Sequence, residues 1–263
     1  MRLRTRAPEI PGGLLDPAPV VLEAVPLRID PAEVWAFWGY RGADDRPAGP
    51  PLDVAAALEA ARAEIARVAR PRACYQTVAV ERAEPDRLTL AGARLHVPGI
   101  GRHWGSVEAV TVAFVTVGEG PEGLIRARRE VGDEQGAAFL DSAASAAAEC
   151  LAEWLNDALC ARAVRAGVRT TNRISPGLAG WDLRAQRTLA ALCPPAAIAV
   201  EVSAAGLMRP AKSISLLVGV GRTARVDHYF VQCRRCWLAR CPARRAPAAA
   251  SVHRDHRPEP RPS

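Results

Sequence analysis

One stretch constrains this chain more than any other. From Pro121 to about Arg165 the residues follow a helical pattern, and Gly132-Asp133 divides it in two. The second piece is crowded with alanine: Ala143, Ala144, Ala146, Ala147 and Ala148 lead into Cys150, Leu151, Trp154, Leu155 and Leu159. Such small side chains let a helix pack closely against a sheet or another helix. With 263 residues, 49% of them apolar, there is material for one sizeable core.

Strand patterns lie on both sides of that helix. Tyr75 to Glu81 alternates polar and apolar, Arg87 to Val97 folds back around Ala91-Gly92, and Glu108 to Val117 reads as largely buried. Beyond the helix, strands are expected near Ile198 to Ser203, Ser213 to Val220 and His228 to Gln232. Further helices are expected at three places. Asp30, Pro31 and Glu33 open one that runs to about Gly39. Val54, Leu58, Ala61, Ile65 and Val68 form the stripe of another, over Leu52 to Ala69, and a third covers Asp182 to Leu192. The strand–helix alternation of a doubly wound fold is missing, so the expected class is α+β. Three parts are expected: a proline-punctuated extended leader (1–27), one α+β domain (28–242) and a disordered basic tail (243–263) rich in Ala, Pro, Arg and His.

Charge is uneven. The chain carries 35 basic and 28 acidic residues, and Lys212 is the only lysine among them. From Arg209 onward there are 12 basic and 3 acidic residues, while the rest is nearly balanced. A uniformly basic nucleic-acid binder would look different. No run approaches the roughly 20 apolar residues that span a bilayer, and the first residues lack the apolar stretch of a signal peptide. Seven cysteines, odd in number and unevenly spaced, argue against a secreted disulfide scaffold. The expectation is a cytoplasmic protein with reduced thiols and no membrane partner.

Four segments could carry chemistry. In Arg173-Ile174-Ser175-Pro176-Gly177, Pro176 and Gly177 force a turn that fixes Arg173, whose guanidinium can grip a carboxylate; the same five residues also make an ordinary surface loop. Gly206 to Ser215 is a turn entering a strand, and Lys212 sits in it, by selection or by chance. Glu149 and Glu153 share a face of the alanine-rich helix, where they could meet a cationic ligand or simply face solvent. Cys233, Cys236 and Cys241 form a C-x2-C-x4-C triplet. It suits zinc or an iron–sulfur cluster, with a redox disulfide or plain thiols as alternatives, and His228 and Cys193 are options for a fourth ligand.

In this order, the helix glutamates, Arg-Ile-Ser-Pro-Gly, Gly-Leu-Met-Arg-Pro-Ala-Lys-Ser-Ile-Ser, His228-Tyr229-Phe230 and the cysteine triplet resemble the activation (reactivation) domain of cobalamin-dependent methionine synthase. The closer likeness is to its standalone bacterial relatives that end in a cysteine cluster. The resemblance implies a bent antiparallel sheet with flanking helices. It implies binding of S-adenosylmethionine, with reductive methylation of cobalamin held by a corrinoid partner protein and fed by an electron-donor protein. It places Arg173 at the ligand's carboxylate, Glu153 near its charged groups and Tyr229 at the ligand site, with Gly177 and Lys212 in the same set. Leu178 stands where the family has a tyrosine, Ser203-Ala204-Ala205 where it has Thr-Glu-Ser, and Gly167 where it has an acidic residue. No Asp-x-His-x-x-Gly motif is present, so cobalamin would come on the partner. Two other readings remain: a non-catalytic binding or assembly protein that kept the fold and lost the ligand site, and a nucleic-acid or metal-binding module built on the cysteines and the arginine-rich tail.

Overall fold

A computed structural model describes residues 9–38, 49–177 and 180–225. The long helical pattern breaks where expected. α4 covers Gly120–Glu130 and α5 covers Glu134–Arg165. Gly132 turns between them at φ 77°, and the Asp133 carboxylate caps α5 by accepting from Gly136 N at 2.9 Å. α5 has 32 residues, about 48 Å at 1.5 Å per residue. With α1 (Pro31–Phe37) and α2 (Leu52–Val68) it completes one helical layer. Asp30 caps α1 by accepting from Ala32 N. Buried alanines at 137, 143, 144, 146, 147, 152 and 158 bring α5 close to its neighbours and to the sheet.

Among the described residues, seven strands form an antiparallel sheet: β1 (Val20–Leu22), β2 (Arg72–Glu84), β3 (Arg87–Leu90), β4 (Ala93–His96), β5 (Ala109–Thr116), β6 (Arg169–Thr170) and β9 (Ser213–Gly221). The order is β4-β3-β2-β5-β9-β6, with β1 on the first part of β2. A register irregularity between Val80 and Arg82 marks a bulge in β2, the device by which a strand bends. β5 is buried at all eight positions because both of its faces are covered. Ala113 and Val115 meet the helical layer, whereas Val110, Val112 and Phe114 meet a second core with Leu88, Leu90, Trp104, Trp181 and Leu189. Double coverage explains why its sequence does not alternate. The β3–β4 hairpin, α3 (Ile100–Trp104) and α6 (Ala185–Leu192) close that second face. β7 (Glu201–Val202) and β8 (Met208–Arg209) make a separate small hairpin.

Residues 9–30, ahead of α1, pack onto the folded body. Asp16 reaches Arg162 of α5 through two carboxylate oxygens, at 3.1 and 3.3 Å, and accepts from Thr77 N at 2.9 Å. Arg162 also donates to Thr77 Oγ1 at 2.6 Å and sits 5.0 Å from the Tyr75 ring centre. Tyr75 donates its phenol to Pro11 O. A cavity of about 10 Å³, lined by Thr111, Leu159, Arg162 and Val220 among others, adjoins this cluster; it has room for about one water.

Two local expectations need correction. Ile198 ends a 3-10 turn, Pro195–Ile198, rather than opening a strand: Pro194 and Pro195 withhold two backbone N–H donors, and Ala199 turns at φ 56°. α6 starts at Ala185 rather than Asp182, because the Asp182 carboxylate accepts from Arg184 N and holds a turn there first. The expected strand at His228–Gln232 and the tail 243–263 lie outside the described residues.

Candidate functional site

The candidate site forms along one edge of α5. Asp141, Ser145, Glu149 and Glu153 follow each other in steps of four, so their side chains stack along one line of the helix. Facing them are two basic groups from the sheet side. The segment after β6 is pinned to β9 by a reciprocal pair, Ile174 N to Leu217 O at 3.0 Å and Leu217 N to Ile174 O at 2.8 Å. Side chains alternate along extended backbone, so Ile174 enters the second core and Arg173 points the other way, to α5.

Arg173 Nη2 donates to Glu149 Oε2 at 2.5 Å, and Nε donates to Glu153 Oε2 at 3.2 Å. The Arg173 side chain is 16% exposed, against 27% for Glu149 and 58% for Glu153. Burial works against the guanidinium's charge, but the two carboxylates outweigh it and its pKa moves up. Two turns earlier, Lys212 Nζ meets Asp141 Oδ1 at 2.8 Å and Ser145 Oγ at 2.9 Å. Lys212 is held there by its carbonyl, which accepts from Val117 N, and Ala211 N donates to the Glu122 carboxylate of α4. The edge thus carries three carboxylates against two cations, with the carboxylates outermost.

Gly177 closes the arginine loop. Its φ is 88°, its N–H donates to Trp181 O at 2.8 Å, and an added Cβ would meet Leu183 Cδ1 at 3.3 Å. Ser175 Oγ, in the same loop, is a buried oxygen with no hydrogen-bond partner among the described residues.

Of the residues singled out in the sequence, the fold brings Arg173 onto Glu153, keeps Gly177 in the same loop and puts Lys212 further along the same helix edge. Tyr229, Cys233, Cys236 and Cys241 lie outside the described residues, as does Leu178. Cys193, the optional fourth ligand, is buried with its sulfur 3.8 Å from that of Cys74. The Cys74 bond and burial push its thiol pKa up, so it stays protonated. Among the described residues no group of three or more His, Cys, Asp or Glu could hold a metal ion. Asp141 and Ser145 went unnoticed in the sequence. Counting back from Glu149 in steps of four would have found both.

The departures from the family pattern have local reasons. Gly167 takes φ 72° just after Ala166, the residue that caps the C-terminal end of α5, a left-handed position that suits glycine. Ser203-Ala204-Ala205 makes the turn between β7 and β8, where Ser203 Oγ accepts from Leu207 N at 3.0 Å.

An antiparallel sheet with a long helix on one face, and a charged edge where that helix meets an arginine loop, makes this an α+β domain. The chain is structurally similar to a solved protein, the MetH reactivation domain bound to AdoHcy. The TM-score is 0.61 at 14% identity, over 92% of this chain and 90% of that one. No family model matches the sequence, and no curated protein matches it. No helix among the described residues is long and apolar enough to cross a membrane.

Proposed function

We propose that this chain binds S-adenosylmethionine at the Arg173 loop and supports reductive methylation of cobalamin held by a corrinoid partner protein in the cytoplasm. The observation that carries this reading is the opposed charge pair. Arg173 sits on a pinned bend against an exposed glutamate, in a fold shared with a domain that was solved with AdoHcy bound. A zwitterionic amino-acid end needs both signs side by side. Arg173 would hold its carboxylate and Glu153 its ammonium or sulfonium. Ser175 Oγ offers an unpartnered donor and acceptor in the same loop, and Gly177 leaves the backbone approachable. Tyr229 would offer a ring face to the sulfonium, a contact worth about 0.5–2 kcal/mol. S-adenosylmethionine supplies the methyl group, and Cys233, Cys236 and Cys241, as a cluster or as thiols, would pass on the electron from a donor protein.

One observation favours the non-catalytic alternative: the Arg173 guanidinium is already engaged by two carboxylates of its own chain. Calorimetry separates the two readings. Wild-type protein should bind S-adenosylhomocysteine, and Arg173→Ala should abolish that binding; unchanged affinity in the variant rules this site out. A cobalamin-state assay with a corrinoid partner then tests methyl transfer, which only the first reading requires.

A further inference from the structure

We infer that the two helix glutamates have different tasks: Glu149 is a positioning residue for Arg173, and Glu153 is the carboxylate released to the ligand. This rests on the proposal that the site takes an S-adenosyl amino acid. By sequence the pair is symmetric, two glutamates one turn apart. The fold makes them unequal. Glu149 is the less exposed, at 27%, and holds Arg173 Nη2 at 2.5 Å. Glu153 is 58% exposed and holds Nε at 3.2 Å. An exposed carboxylate that lets go of a guanidinium is resolvated by water at little cost. A guanidinium that is 16% exposed cannot lose all its negative partners so cheaply.

An incoming zwitterion resolves this. Its carboxylate takes over the Arg173 contact that Glu153 gives up, and its cationic group takes Glu153. One internal ion pair is exchanged for two pairs with the ligand, and the charge at the site stays balanced. Throughout, Glu149 keeps the guanidinium in place, so the ligand meets an arginine already aimed. Without Glu149 the side chain would have to be ordered at the moment of binding, which costs affinity.

The test uses two probes that differ only at the amino-acid end, S-adenosylhomocysteine and 5′-methylthioadenosine. If Glu149 acts through Arg173, Glu149→Gln weakens S-adenosylhomocysteine about tenfold or more, the scale of one charge-assisted hydrogen bond. It leaves methylthioadenosine within about twofold. A merely structural role would move both affinities together, and that result, or no change in either, overturns the inference. Should Glu149→Gln fail to fold, Glu149→Asp keeps the charge on a shorter arm and must show the same selective loss in smaller measure. Wild-type protein that binds neither probe refutes the proposed function, and the inference with it.

Discussion

The buried contact between Asp16 and Arg162 offers the sharpest test of how this fold is held. The Asp16 side chain is 1% exposed and that of Arg162 is 9%. Asp16→Ala removes both carboxylate oxygens that accept from Arg162, one of which, Oδ2, also accepts from Thr77 N. Arg162 would keep Thr77 Oγ1, Pro11 O and the Tyr75 ring. Breaking a buried pair by removing one partner costs about 3–5 kcal/mol; with those remaining partners, about 3 kcal/mol is expected. For a urea slope of about 1–3 kcal/mol/M the midpoint should fall by about 1 M or more. The companion variant, Arg162→Met, strands the carboxylate and should cost a similar amount. The double change Asp16→Ala with Arg162→Met should cost at least about 1 kcal/mol less than the two single losses combined, since it leaves no orphaned charge. Equilibrium unfolding of the three variants decides the matter. If Asp16→Ala moves the midpoint by less than about 0.3 M, or if the losses simply add, the pair does not anchor the chain before α1 to the body in the way its burial implies.

Two further tests probe the packing. Ala147 is fully buried where α5 packs in its core. Ala147→Leu should therefore destabilise by about 1–3 kcal/mol or more through overpacking, read as a lower thermal midpoint, while an unchanged midpoint would mean the layer has slack. Tyr75 carries a phenol whose pKa burial pushes up to about 12, with Arg162 pulling it down and Asp16 raising it. Its unfolded counterpart ionises near 10, so the unfolded state loses its proton first. Stability from this group is therefore intact below pH 10 and declines as pH rises from 10 towards about 12. Tyr75→Phe should abolish that part of the alkaline decline in unfolding measured against pH; an unaltered profile would refute the assignment.

Local signals were legible in the sequence, and tertiary ones were not. The Asp30 cap, the Gly132-Asp133 break and the Ala91-Gly92 hairpin turn rest on a few neighbouring residues, and each appears where expected. β1 and α3 were missed. β1 is three residues long and exists through its pairing with β2; α3 is one short turn set against the second core. Ile198 misled because a β-branched residue suggests a strand, while the prolines before it dictate a tight turn. At the site, the loop chemistry around Arg173 and Gly177 could be read from residue types. Which glutamate lies deeper could not, because that depends on how α5 is rolled against the sheet.

That roll has a consequence for how the protein can vary. α5 sets its alanines into the core and lines up Asp141, Ser145, Glu149 and Glu153 under Lys212 and Arg173 with the same rod. Each residue turns a helix by about 100°. Inserting or deleting one residue between Asp141 and Glu149 would therefore swing the carboxylates out from under one of the two cations, or else turn alanines out of the interior. Substitutions can tune this edge, but its spacing is inherited from the interior and can drift only if the whole molecule is repacked.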